Sequence, residues 1–306
     1  MSFTSQLKNE IVGIESSRLE AISELSAIFS VVGFFETNLK ITTESVALAK
    51  RVFSLTKKVF QINCKITVRK GLRFRNRYIY ILEIEEKDDF VLKTLGLSVE
   101  KKQQLPLFFV IDDDEMKKVF LRGIFLAVGS LSDPKKTSYH LEFVVDDVNY
   151  AIFILDLLNN FSLNAKILER EKKMMIYIKE SEKISDFLKI IGTGGGLFYF
   201  EDVRIYRDHK NMTNRLNNCE QANVDKTIFS SDKQIRDINL IINEGLYDAL
   251  SNKLMVVADY RLKYPDASLT ELAEIISLET EQKITKSGLY HRFIKIAKFA
   301  KKIVKS

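Results

Sequence analysis

The feature that most limits what this chain can fold into is an internal repeat. LSAIFSVVG (25–33) aligns with LRGIFLAVG (121–129) at an offset of 96, and DDFVLKTLG, closing at Gly96, aligns with ISDFLKIIG, closing at Gly192, at the same offset. A fixed internal period implies two copies of one supersecondary unit that cover each other's apolar faces. Each half reads alike. A helix ending at Gly33 or Gly129 leads to a strand, a helix follows around 44–60 or 147–160, and then come two β-rich runs and a short helix around 88–95 or 182–191. Alternation and β-branched content predict paired strands at 65–69 with 78–84, and at 165–170 with 174–179. Asp146 or Asp147 can cap the helix VNYAIFILDLLNN. The fold class is α+β, with copies at about 20–96 and 116–192 inside a first domain of residues 1–200.

The copies differ at the turn between their paired strands. LNAKI (163–167) matches INCKI (62–66) at an offset of 101, which leaves about five extra residues in the first hairpin. They fall in RKGLRFRNR (69–77). Six of the thirteen residues from 65 to 77 are Lys or Arg and none is acidic. On an extended strand Arg73, Arg75 and Arg77 share one face, and with Arg69 they are candidate phosphate contacts. A solvated hairpin tip is the plainer reading.

Composition excludes several classes. Two Cys and three sequence-isolated His leave no disulfide framework and no Cys- or His-built metal site, so neither metal nor cofactor is expected. No apolar run reaches the length of a membrane span and the amino terminus turns polar at once, which predicts a cytoplasmic protein with no membrane partner. Lys plus Arg exceeds Asp plus Glu by 47 to 41, a net charge of +6 that permits nucleic acid as partner without requiring it.

Residues 201–243 are rich in Asn and read as a polar linker with short helices. GTGGG (192–196) breaks the last helix of the second copy. No Lys-Ser or Lys-Thr follows, so a hinge is favoured over a phosphate loop. Asp112–Asp114 read as a helix cap rather than a calcium loop. Cys219 is taken as a buried structural thiol, and His140 as a strand residue.

Residues 244–306 form a helical unit. A helix around 245–263 stops before Pro265. Ser268 and Glu271 make a capping box ahead of LAEII. After about ten turn residues, Ser287 can cap a last helix whose Leu289, Phe293, Ile296, Ala300 and Ile303 share one face. From Lys283 to Lys305 there are eight Lys or Arg and no acid. A capped helix, a turn and a basic helix make the layout of a helix-turn-helix DNA binder. The candidate DNA-binding residues are Ser287, Tyr290, His291, Arg292 and Lys295 near the helix start, with Lys283, Lys286 and Lys298 beside them. Arg and Lys can read guanine edges or hold phosphates, and a hydroxyl at a helix start can hold a phosphate.

The opening MSFTSQLKNEI, RGIFLAVGSLSDPKKTSYHLEF (122–143), NRLNNCEQANVDKT (214–227) and YPDASLTELAEII with ITKSGLYHRFIKI resemble, in order and over essentially the whole chain, the WhiA sporulation and cell-division regulators of Gram-positive bacteria. The resemblance implies a duplicated amino-terminal domain shaped like a LAGLIDADG homing endonuclease. It also implies an all-α helix-turn-helix domain similar to sigma-factor region 4. It implies a nucleoid-associated, DNA-binding transcription regulator of cell division and chromosome segregation, with double-stranded DNA as partner. Other regulatory or cell-division proteins would bind through the duplicated domain. In LAGLIDADG nucleases the acidic residue before the closing Gly of each motif holds the metal. The matching positions are Val32 and Val128, whose side chains offer Mg²⁺ no oxygen, so no nuclease activity is expected. The rival readings are a metal-dependent endonuclease and a protein-interaction module with an incidental basic surface.

Overall fold

The computed structural model describes residues 1–35, 38–70, 78–84, 90–98, 105, 107–136 and 138–304. Two compact units divide it, residues 1–207 and 208–306.

In the first unit a leading helix, α1 (Phe3–Val12), precedes two copies of one element order. The first copy runs α2 (Arg18–Val32), β1 (Gly33–Phe35), β2 (Leu39–Thr43), α3 (Val46–Phe60), β3 (Lys65–Lys70), β4 (Tyr78–Ile84) and α4 (Phe90–Leu95). The second runs α5 (Asp114–Val128), β5 (Gly129–Leu131), β6 (Leu141–Val145), α6 (Val148–Asn160), β7 (Lys166–Arg170), β8 (Lys173–Ile178) and α7 (Ser181–Ile190). Each copy folds one four-stranded antiparallel sheet, ordered β1-β2-β4-β3 and β5-β6-β8-β7. The β3–β4 ladder closes on Lys70 opposite Tyr78, and β7–β8 on Arg170 opposite Lys173. Seven residues join the first pair and two the second, a difference of five. Asp113 and Asp147 accept from the backbone N–H of Met116 and Tyr150 and start α5 and α6. His140 lies just before β6 rather than inside it.

The copies meet along α2 and α5. A Cβ on Gly123 would lie 2.7 Å from the Ala27 Cβ and 2.7 Å from the Glu24 carbonyl oxygen, so only glycine permits this approach. Ile28, Phe29, Ile124 and Phe125 fill the space around it with almost no exposure. One charged cluster interrupts this apolar seam. The fully buried Glu24 accepts from Arg51 of α3 through Nε (2.7 Å) and Nη2 (2.8 Å), and from Arg122 of α5 through Nε (3.1 Å) and Nη2 (3.0 Å). Arg51 also donates to Ser16 Oγ and the Ile14 carbonyl. The second copy solves the same position differently. Phe120, 96 residues after Glu24, meets Phe153, which stands as far past its cap Asp147 as Arg51 stands past Ser45, edge to face at 5.8 Å. The duplication is therefore symmetric in backbone and asymmetric in chemistry.

Residues 201–243 do not form a linker with short helices. They lie within one helix, α8 (Gly194–Asn243). Its first turns pack Phe200 into the core of the first unit, and its last turns pack Ile238 and Ile241 into the core of the second. Asn has weak helix propensity, which is why the sequence reads as a linker, and burial at both ends overrides it. The last three glycines of GTGGG, Gly194–Gly196, start α8 and carry a packing role. The Glu10 carboxylate accepts from the N–H groups of Gly195 (2.7 Å) and Gly196 (2.9 Å), and a Cβ on Gly196 would strike the Leu7 side chain at 2.0 Å. The second unit continues with α9 (Asn252–Lys263), α10 (Leu269–Thr280) and α11 (Lys286–Ile303) around a shared apolar core. The helix expected over 245–263 begins only at Asn252, after a short 3₁₀ turn at Tyr247–Ala249. Among the described residues no helix is long and apolar enough to cross a membrane.

Candidate nucleic-acid interface

α10 and α11 are joined by five residues, not ten, because α10 runs through SLET to Thr280 before Glu281 turns into the left-handed region at φ 54°. Ser268 and Glu271 form the capping box that starts α10. Ser277 Oγ then fastens the turn. It donates to the Ala273 carbonyl (2.7 Å) and accepts from the Ile284 N–H (2.9 Å). The cap of α11 is Thr285, whose hydroxyl accepts from the Gly288 N–H (3.1 Å), and not Ser287. Thr285 already satisfies the first turn, so the helix starts two residues earlier and Ser287 lies inside it.

This start fixes which side chains face water. Leu289, Phe293, Ile296 and Ala300 are buried in the second core. Opposite them Ser287, Tyr290, His291, Lys295 and Lys298 are exposed, Arg292 is half-buried at the edge, and Lys283 and Lys286 are exposed at the turn and helix start. Tyr290 and His291 stand edge to face at 5.9 Å. The face carries no carboxylate, so a polyanion would meet hydroxyl, aromatic, imidazole and ammonium groups without like-charge repulsion.

The structure scatters the other sequence candidates. Arg69 is exposed near the end of β3, in the first unit. Arg73, Arg75 and Arg77 lie outside the described residues. Val32 and Val128 end α2 and α5 and pack partly buried against the core. No group of three or more His, Cys, Asp or Glu that could hold a metal ion occurs among the described residues. Cys219 is exposed rather than buried, and the residues of α8 on either side of it are exposed as well.

One positioning residue escapes sequence reading. Arg261 is 1% exposed. It donates through Nε to Gln234 of α8 (2.9 Å) and through Nη1 to the carbonyls of Tyr264, Pro265 and Ala267 (3.2, 3.2 and 2.7 Å). Its guanidinium lies over the Phe293 ring at 5.5 Å. It therefore holds the end of α9 and the underside of α11 together, and burial pulls its pKa below the ordinary value. The only signal in the sequence is an arginine four residues before a proline.

Comparison with known proteins agrees with this architecture. Residues 17–98 match the WhiA N-terminal LAGLIDADG-like domain, 117–210 the WhiA LAGLIDADG-like domain, and 213–300 the WhiA C-terminal HTH domain. Proteins named "Probable cell division protein WhiA" from Staphylococcus carnosus (strain TM300) and Staphylococcus aureus (strain JH9) are each 40% identical over 309 residues, which covers 99% of this chain and 98% of theirs. The crystal structure of full-length DUF199/WhiA from Thermatoga maritima aligns over 99% of both chains with TM-score 0.60 and 28% identity. Two LAGLIDADG-like copies followed by a helix-turn-helix domain, matched in order along nearly the full length of such relatives, show that the chain belongs to the WhiA family.

Proposed function

We propose that this chain is a sequence-specific regulator that reads double-stranded DNA through α11, serves cell division and chromosome segregation, works at the nucleoid and cuts nothing. The observation that carries this reading is the acid-free exposed face of α11, held rigid by a buried core and by Arg261. Ser287, Tyr290, His291 and Lys295 sit where a recognition helix presents its first turns to base edges. Lys298, Lys301 and Lys302, farther along the helix, suit phosphates. Lys283 and Lys286 flank the start of the helix, and Arg292 sits at its edge. Arg69, with Arg73, Arg75 and Arg77 following it in the sequence, adds a second basic element, and two modules on one duplex would gain affinity by linkage. The relatives' printed name supports the cell-division role. The nuclease step needs carboxylate oxygens for its metal, and the hydrocarbon side chains of Val32 and Val128 supply none.

A second partner class is favoured by one observation. Across the outward face of the second sheet Val144, Met175 and Leu168 stand in one cross-strand row, with Leu168 49% exposed. A DNA-reading face would carry polar groups there, so this row suits a regulatory or cell-division protein.

Selection of bound fragments from a random duplex pool tests the reading. A recovered consensus that Lys295→Ala no longer enriches is the expected result. Recovery of unrelated sequences with equal efficiency would contradict sequence reading. Incubation with supercoiled plasmid and Mg²⁺ should leave the plasmid intact, whereas nicking abolished by EDTA would overturn the non-nuclease claim.

A further inference from the structure

The stretch 208–226 of α8 is exposed at every residue. It includes Asn211, Asn214, Asn217 and Asn218, all poor helix formers. A helix with such a sequence and no tertiary cover is marginal in water, so its folded state calls for a partner. The surface indicates what kind. His209, Met212, Leu216, Cys219 and Asn223 follow one another at spacings of three, four, three and four, which is the a/d seam of a coiled coil. Met212 is 62% and Leu216 54% exposed.

We propose that this seam pairs with the same seam of a second copy of the chain, in parallel and in register. Two observations select the second copy. With Leu216 and Asn223 at a, and Met212 and Cys219 at d, Arg215 falls at g and Glu220 at e. A parallel pair sets each g side chain beside the e side chain five residues farther along its partner. Arg215 of each copy then meets Glu220 of the other, and among the described residues neither makes an ion pair within its own chain. Asn223, like His209 a polar residue at an a position, sets a side-chain amide opposite its own copy, which favours the in-register pair over shifted ones. The seam is short, so the contact belongs to the weak class of interfaces. It strengthens when two helix-turn-helix domains occupy neighbouring half-sites.

Cys219 makes the pairing measurable, because the other cysteine, Cys64, is buried. At a d position the two Cys219 thiols share one layer. A short bismaleimide should cross-link the full-length protein into a covalent dimer without DNA, and sedimentation equilibrium should show a species of twice the chain mass growing with concentration. Leu216→Asp, at an exposed site that leaves the fold intact by circular dichroism, should reduce cross-linking at least tenfold. Arg215→Glu should weaken it, and Arg215→Glu with Glu220→Arg should restore it. A monomer at every concentration up to about 100 μM, or equal cross-linking in the single and double charge variants, would overturn the proposal. So would cross-linking that appears only when duplex DNA is added. None of these readouts uses DNA affinity, so the reading of α11 stands or falls separately.

Discussion

Glu24 is a carboxylate without solvent exposure, and the two arginines that surround it are almost as deeply buried. Removing the acid leaves two guanidinium groups without their counter-charge in the α2–α5 seam. Breaking a buried pair in this way costs about 3–5 kcal/mol. Glu24→Ala should therefore unfold at markedly lower denaturant concentration than wild type. A loss below about 1 kcal/mol would mean the cluster behaves like a surface pair. Lys8 carries the opposite sign. Burial pushes its ammonium down to about 8 from 10.5, and its Nζ stands 5.7 Å from the Phe125 ring centre. The folded state releases this proton before the unfolded chain does, so the penalty is fully present below pH 8 and is relieved between pH 8 and 10.5. Lys8→Met should raise Tm at pH 7, with the gain shrinking across that window. A gain that stays constant to pH 10.5 would assign it to packing instead. Caps such as Asp113 and Asp147 are legible in the sequence because donor and acceptor are three residues apart. Glu24 and Glu10 are not, because their partners lie up to 98 and 186 residues away.

At the scale of elements, apolar spacing marks α11 and its buried face correctly, since Leu289, Phe293, Ile296 and Ala300 obey one helical period. The start of that helix is less legible, because Thr285 and Ser287 are both capping residues and only geometry chooses between them. α8 is illegible for a deeper reason. Its central composition argues against helix, and its two buried ends decide the matter. Arg261 shows how one element holds another. Arg261→Met keeps the bulk but removes four hydrogen bonds, which should destabilise the second unit by roughly 2–3 kcal/mol. Thermal unfolding followed by circular dichroism should show that loss in the variant, while the first unit melts as in wild type. An unchanged Tm for the second unit would contradict the positioning role.

Across the whole molecule, the repeat makes both copies readable in the sequence, down to the five-residue difference between the segments that join their paired strands. What it does not reveal is how far the copies have diverged inside, with Glu24 and Arg51 in one answering Phe120 and Phe153 in the other. The proposed function follows the same division, with a duplicated scaffold that has valine at positions 32 and 128 and a basic helix proposed as the DNA reader. Each phosphate neutralised contributes about −0.9 to the slope of log K against log salt, so Lys298→Ala should flatten that slope by about one. The most direct test is the affinity of the full-length chain for a selected duplex, measured by fluorescence anisotropy for wild type, for Arg292→Ala with Lys295→Ala, and for Arg69→Ala. The account predicts at least a tenfold loss for the α11 double variant, about the effect of removing one good base contact, and a much smaller loss for Arg69→Ala. Full affinity and unchanged sequence preference in the α11 variant would contradict it.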